Sequence, residues 1–319
     1  MAAEMPRRSF PSQLCCDSSL LAGEQLFGTA PRADVWFLLE YREAWAAKAL
    51  QQSSLPEAVR VRLLAGLDGY SVRTQLIRQE GRRSDRPIAF FVVVADELLP
   101  RLYAFQLRTY KDLLALDIPA IVAGEPRYTA SLSTQLLFLI CTNGRRDPAC
   151  AREGLAVYRA AQAYAGGSVW QTTHLGGHRF AATGVFFPHG VYYGRVTAGS
   201  VPQLIADYHQ QQIDLAHFRG RACYDKPVQA AAYYVRELNG LHTLPGIHLI
   251  EAFREADVYW SVRFLSLADR VVHTIRLEVE PAGLVVQLNS RDSAPSPVSR
   301  YRLAGYSVYA AEAGEPHAG

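Results

Sequence analysis

Apolar residues along the chain gather in short runs, and stretches with helical spacing lie between them. VWFLLEY (35–41) is one such run and has the length of a buried strand. Residues 55–67 carry a helical pattern, with Pro56 in the first turn, where its missing N–H is not needed. Residues 70–78, 88–95 and 101–108 are rich in β-branched and aromatic side chains and read as strands, and 109–117 as a short helix. A second series follows. Residues 134–140 form a buried strand and 148–165 a helix; 169–173, 182–187 and 191–196 are strands, and 201–212 is a helix. Both series run strand, helix, strand, strand, strand, helix. The first half therefore reads as a degenerate copy of the second, although many α/β chains of this length admit such a parsing.

A helix over 226–240, stopped at Gly240, opens the remainder. Strand patterns at 246–253, 257–267, 270–279 and 283–289 follow and look antiparallel. No low-complexity linker divides the chain. The pattern predicts an α/β (α+β) protein with three regions: an N-terminal α/β region over 1–130, a second over 131–215, and a helix with antiparallel strands over 216–319. The last residues, AEAGEPHAG, are expected to fray.

Composition narrows the class. A hydrophobic content of 49% and a charged content of 20% allow a large core and argue against disorder. The net charge of +3 is too small to suggest nucleic acid, and the arginines are scattered, with short clusters such as Arg82-Arg83 and Arg145-Arg146. The longest apolar runs, IAFFVVVA and QLLFLIC, fall short of the roughly 20 residues of a membrane-spanning helix. The N-terminal stretch has no apolar core of a secretory signal, so a cytoplasmic location with reduced or metal-bound cysteines is expected. No phosphate-binding loop or dinucleotide fingerprint occurs, so no nucleotide site is expected.

The chemistry concentrates in CTNGRRDPAC, 141–150, and VWQTTHLGGHRFAATG, 169–184. Cys141 closes an apolar strand. Asp147 suits a helix N-cap and Pro148 the first helical position, so Cys150 falls in the first turn, where the helix dipole favours a thiolate. His174 and His178 are four apart, but Gly176-Gly177 between them points to a tight loop rather than a helix. This loop also follows a strand. If the two strands are neighbours, two thiols and two imidazoles meet at one edge of the sheet.

A Cys2His2 donor set suits tetrahedral zinc or a 2Fe–2S cluster. Eight residues between the cysteines are wide for a zinc knuckle and lean toward the larger cluster, while an unligated group of side chains remains a third reading. The motif is not a Rieske sequence, because both cysteines lie on one loop and both histidines on the other.

CTNGRRDPAC, followed by THLGGHRFAAT and VYYGRV, resembles the sucrase/ferredoxin-like family of thioredoxin-like 2Fe–2S ferredoxins. The resemblance is dense over 137–196. It continues more weakly through CDSSLLAGEQLFGTA, WFLLEY and YAFQLRTYKDLLALD upstream and RACYDKPVQAAAYYVRELNG downstream. It implies a thioredoxin-like ferredoxin domain over 131–215; Cys141 and Cys150 on one iron, His174 and His178 on the other; and one-electron exchange with a redox partner protein. Many relatives carry histidine where this chain has Asn143, a departure expected to tune the site. Imidazoles in place of thiolates raise the potential of such a cluster, and their second nitrogens couple its redox state to pH. Arg145, Arg146 and Arg179 flank the ligands in sequence, as do Asp147, Gly176 and Gly177; the arginines either attract an acidic partner or are solvated loop charge. The rivals are a zinc-stabilised binding module on the same four residues and a thiol–disulfide enzyme, against which the missing C-x-x-C counts.

Other candidates read as structural. Cys15 and Cys16 are adjacent and expected to be unligated, Cys223 to pack as a small apolar group, and His189 to be solvated in a hairpin turn.

Overall fold

The computed structural model describes residues 14–81, 85–292 and 294–311. Residues 1–13, the Arg82-Arg83 pair and nearly all of the C-terminal tail lie outside the described residues. Two sheets are present. The first half supplies β1 (Val35–Glu40), α2 (Glu57–Leu64), β2 (Val72–Arg78), β3 (Ile88–Val94), β4 (Arg101–Leu107) and α3 (Ile118–Ala123), preceded by α1 (Cys15–Leu21). The second supplies β5 (Leu137–Cys141), α4 (Pro148–Ala165), β6 (Val169–Thr172), β7 (Gly184–Phe187), β8 (Val191–Tyr193), α5 (Val201–His209) and β9 (Phe218–Arg221).

These strands form one nine-stranded sheet in the order β4-β3-β1-β2-β6-β5-β7-β8-β9. β1 runs parallel to β2 and antiparallel to β3; β5 runs parallel to β6 and antiparallel to β7. Each half thus repeats one pairing scheme, a parallel βαβ unit with an antiparallel hairpin on its other side. The halves meet through the short antiparallel pairing of β2 with β6, Ile77 opposite Thr172. The fold class expected from the sequence, mixed α/β of α+β type, is the one observed.

Alternation along the strands sorts side chains onto two faces. In the first half Val35, Phe37 and Leu39 pack under α2 and α3. In the second half Phe138 and Ile140 pack under α4 and α5. The opposite face is one continuous core across both halves, because the sheet curls on itself. Trp36 of β1 meets Phe187 of β7 edge-on at 5.1 Å, and Phe91 of β3 meets Trp170 of β6 at 5.9 Å. Cys141 and Cys150 border this interior.

The remaining chain forms α6 (Lys226–Asn239), ended by Gly240 in the left-handed region, and a four-stranded antiparallel sheet. Its strands are β10 (Ile247–Ala256), β11 (Tyr259–Ser266), β12 (Val271–Val286) and β13 (Ser296–Ala310), in that order. Here the structure corrects the sequence reading. The two strands expected at 270–279 and 283–289 are one. The register shifts between Glu280 and Leu284, so Pro281 and Gly283 sit at a bulge instead of a turn. β13 escaped notice because it is a mostly exposed edge strand with a proline and an internal glycine. Pro56 is the N-cap residue of α2 rather than part of its first turn. α1, α3 and β9 were not anticipated. α3 carries the signals that would have found it: Asp117 accepting from Ala120 N–H, Pro119 in the first turn and Gly124 in the left-handed region. Among the described residues no helix is long and apolar enough to cross a membrane.

Candidate metal centre

Because β5 and β6 are parallel neighbours, with Cys141 opposite Thr172, the segments that follow them emerge on the same edge of the sheet. That edge is the usual ligand position of such sheets. From β5 the chain passes through Cys141 into the loop that Asp147 ends. Asp147 is fully buried and caps α4 by accepting from the Ala149 N–H at 2.9 Å, with Pro148 at the first helical position. Cys150 lies one turn in, also buried. The helix lies so close to the strand end that a Cβ on Gly154 would fall on the Cys141 carbonyl oxygen.

From β6 the chain enters the histidine loop. Gly176 and Gly177 have φ of +94° and +73°, which side-chain-bearing residues rarely adopt, and Gly177 precedes a short 3-10 turn over His178–Phe180. The carbonyls of this loop are held by cations. Arg73 donates to the Leu175 oxygen at 3.1 Å, and Arg219 donates to the Gly176 oxygen at 3.0 Å. Arg219 is wholly buried, also donates to Thr29, and packs over Phe180 and Tyr192; burial pushes its pKa down to about 9.

One ligating atom each from Cys141, Cys150 and His174 lies within 4.8 Å of the others. The His174 and His178 rings are 4.9 Å apart between centroids. His178 belongs to a second group, with Cys15 and Asp147, and its Nε2 is 3.9 Å from Asp147 Oδ2. The Nδ1 atoms of both histidines are buried without a hydrogen-bond partner. Buried imidazole nitrogens without hydrogen-bond partners, beside two thiols, are the mark of a metal-binding donor set. The four residues therefore fit a metal or a cluster.

The thiols differ. Cys141 is pulled well below the ordinary thiol value by the neighbouring Cys150 thiol and then by His174. Cys150 is pushed far up by Cys141 and by burial, so the lower pKa falls on the strand cysteine and not, as the helix position suggested, on Cys150. The first proton leaves this pair easily and the second is opposed by the charge already present, until a cation offsets it. Burial holds His178 below the ordinary imidazole value, His174 adds to this, and Asp147 acts the other way.

Two participants were missed in sequence. Cys15 is fully buried, with its Sγ 3.8 Å from Asp147 Oδ1. Ser290, in the connection between β12 and β13, donates to Asp147 from its N–H and its hydroxyl, both at 2.8 Å. Burial alone would raise the Asp147 pKa, but these bonds and that of Ala149 outweigh it and hold the carboxyl below its usual range. Cys15 and Cys16 themselves are pushed up by burial, to about 12 and about 11, so both remain thiols at neutral pH. Arg145 and Arg146 are exposed. Arg179 instead pairs with buried Glu24 at 2.8 Å and packs over Phe180, which explains its place without a partner protein. Asn143 is buried and donates to the Ala46 oxygen at 3.2 Å, fastening the cysteine loop to the first half. His189 is not solvated: its Nδ1 lies 2.7 Å from the Tyr208 hydroxyl.

The sucrase/ferredoxin-like family model matches residues 26–220. The chain belongs to that family. The match spans both halves of the large sheet and leaves α1 and the C-terminal module outside, so Cys15 and Ser290 reach the site from beyond the family region. No curated protein and no solved structure matches the chain.

Proposed function

We propose that this family member is an electron carrier holding a 2Fe–2S cluster through Cys141, Cys150, His174 and His178. The observation that carries the reading is the meeting of two buried thiols and two half-buried imidazoles, from two separate loops, at one sheet edge. When bound, such a cluster takes up and returns single electrons. The chain's part is to supply an easily deprotonated thiol at Cys141, to fix the imidazole loop through Arg73 and Arg219, and to bury both cysteines. The spread of the donors also supports a two-iron centre: three lie together and His178 stands apart beside Asp147.

That same trio favours a second reading, in which Cys141, Cys150 and His174, with neighbouring His178 as the fourth ligand, hold one zinc ion and the site is structural. Anaerobic purification with an absorption spectrum and iron, sulfide and zinc analysis separates the two. A coloured protein with about two irons and two sulfides per chain is expected. A colourless protein with one zinc overturns electron transfer.

A further inference from the structure

A cleft of about 590 Å³ opens beside His174, between the histidine loop, the cysteine loop, β2 and α2. Its size is that of a small-molecule site. Among the described residues three cations border it, Lys48, Arg73 and Arg146, and no carboxylate does. Lys48 and Arg146 are exposed, and among the described residues no carboxylate pairs with either. Arg73 is fixed by its bond to Leu175 and its position 5.5 Å from the Trp36 ring. Leu50, Leu63 and Leu64 also line it, with uncharged polar side chains such as Gln51, Gln75 and Asn143 between. Cations without carboxylate partners and aliphatic side chains lining one concavity select a molecule that carries an acid group on an apolar body. Fixed Arg73 supplies direction, and the two exposed cations add to the attraction for the charge.

We propose that this cleft binds a small organic anion, a carboxylate or phosphate on an apolar scaffold, against the His174 side of the metal centre. The occupancy does not depend on which metal the centre holds. A macromolecular partner that offers only an acidic surface would meet the charge but leave the aliphatic side chains uncovered.

Isothermal titration calorimetry on the full-length protein as purified tests this, with benzoate, phenyl phosphate and inorganic phosphate as probes. At least one aromatic anion is expected to bind one to one, about tenfold or more tighter than inorganic phosphate. The double variant Lys48→Gln/Arg146→Gln changes two exposed side chains and should weaken that binding by about tenfold or more, while Leu64→Ser should narrow the gap to inorganic phosphate. Preference for benzoate or for phenyl phosphate identifies the acid group. Absence of binding by both aromatic anions, equal binding by the double variant, or equal affinity for inorganic phosphate overturns the proposal. Iron and zinc are assayed in the same preparations: a loaded protein that binds no probe leaves the metal reading standing, and a metal-free protein that binds separates the two the other way.

Discussion

Gly154 has no side chain, yet it sets the distance between the two cysteines. An added methyl would collide with the Cys141 carbonyl oxygen, which is backbone and cannot swing aside. Gly154→Ala should push α4 off the strand end, cost about 1–3 kcal/mol and reduce the metal content of the purified protein. Gly167→Ala, where nothing lies nearby, is the control that should leave both unchanged. Ser290→Ala removes a hydroxyl that donates to buried Asp147. The loss should be about 1–3 kcal/mol in urea unfolding, and the result is overturned if the midpoint does not move. His189 is held at about 4, first by burial and then by Arg221. Its folded pKa lies below the ordinary 6.5, so between those values the unfolded chain binds more protons. Its contribution is therefore present above pH 6.5 and lost as pH falls toward 4. His189→Gln should flatten the pH dependence of the melting temperature across that window. None of these three roles was legible residue by residue: Gly154 reads as a weak helix position, Ser290 as a loop serine and His189 as a turn residue.

At the level of elements, the histidine loop shows what the sequence supplies and what it lacks. The paired glycines announced a turn that a helix could not make, and their positive φ values agree. The order of that turn, however, comes from Arg73 and Arg219, which are remote in sequence and donate to successive carbonyls. Arg219→Lys keeps the charge but loses the planar fork that bridges Gly176 and Thr29. It should cost about 1–3 kcal/mol for each buried carbonyl left unpaired, seen as a lower melting temperature together with a lower metal content. The β12–β13 hairpin is the complementary case. Its bulge at Pro281–Gly283 looked like a turn, because those residues break local pairing whether or not the strand resumes beyond them. Only the partner strand decides that it resumes.

For the whole molecule, the repeated order of elements was readable, since apolar periodicity and caps act over a few residues and leave their mark locally. So were the fold class and the family, and so was the one stretch with two cysteines and two histidines at suggestive spacings. Tertiary structure decided the rest. It placed the halves side by side through β2 and β6, so that the first half, whose corresponding strand β1 ends in Glu40 where β5 ends in Cys141, serves as a wall for the second. It folded one face of the sheet around Trp36 and brought Lys48 and Arg146 to the lining of one cleft. It carried Cys15 and Ser290, which are 275 residues apart, onto the same carboxylate. Contacts of that kind depend on how whole elements pack, and the local pattern that specifies an element contains no record of which distant residue will face it.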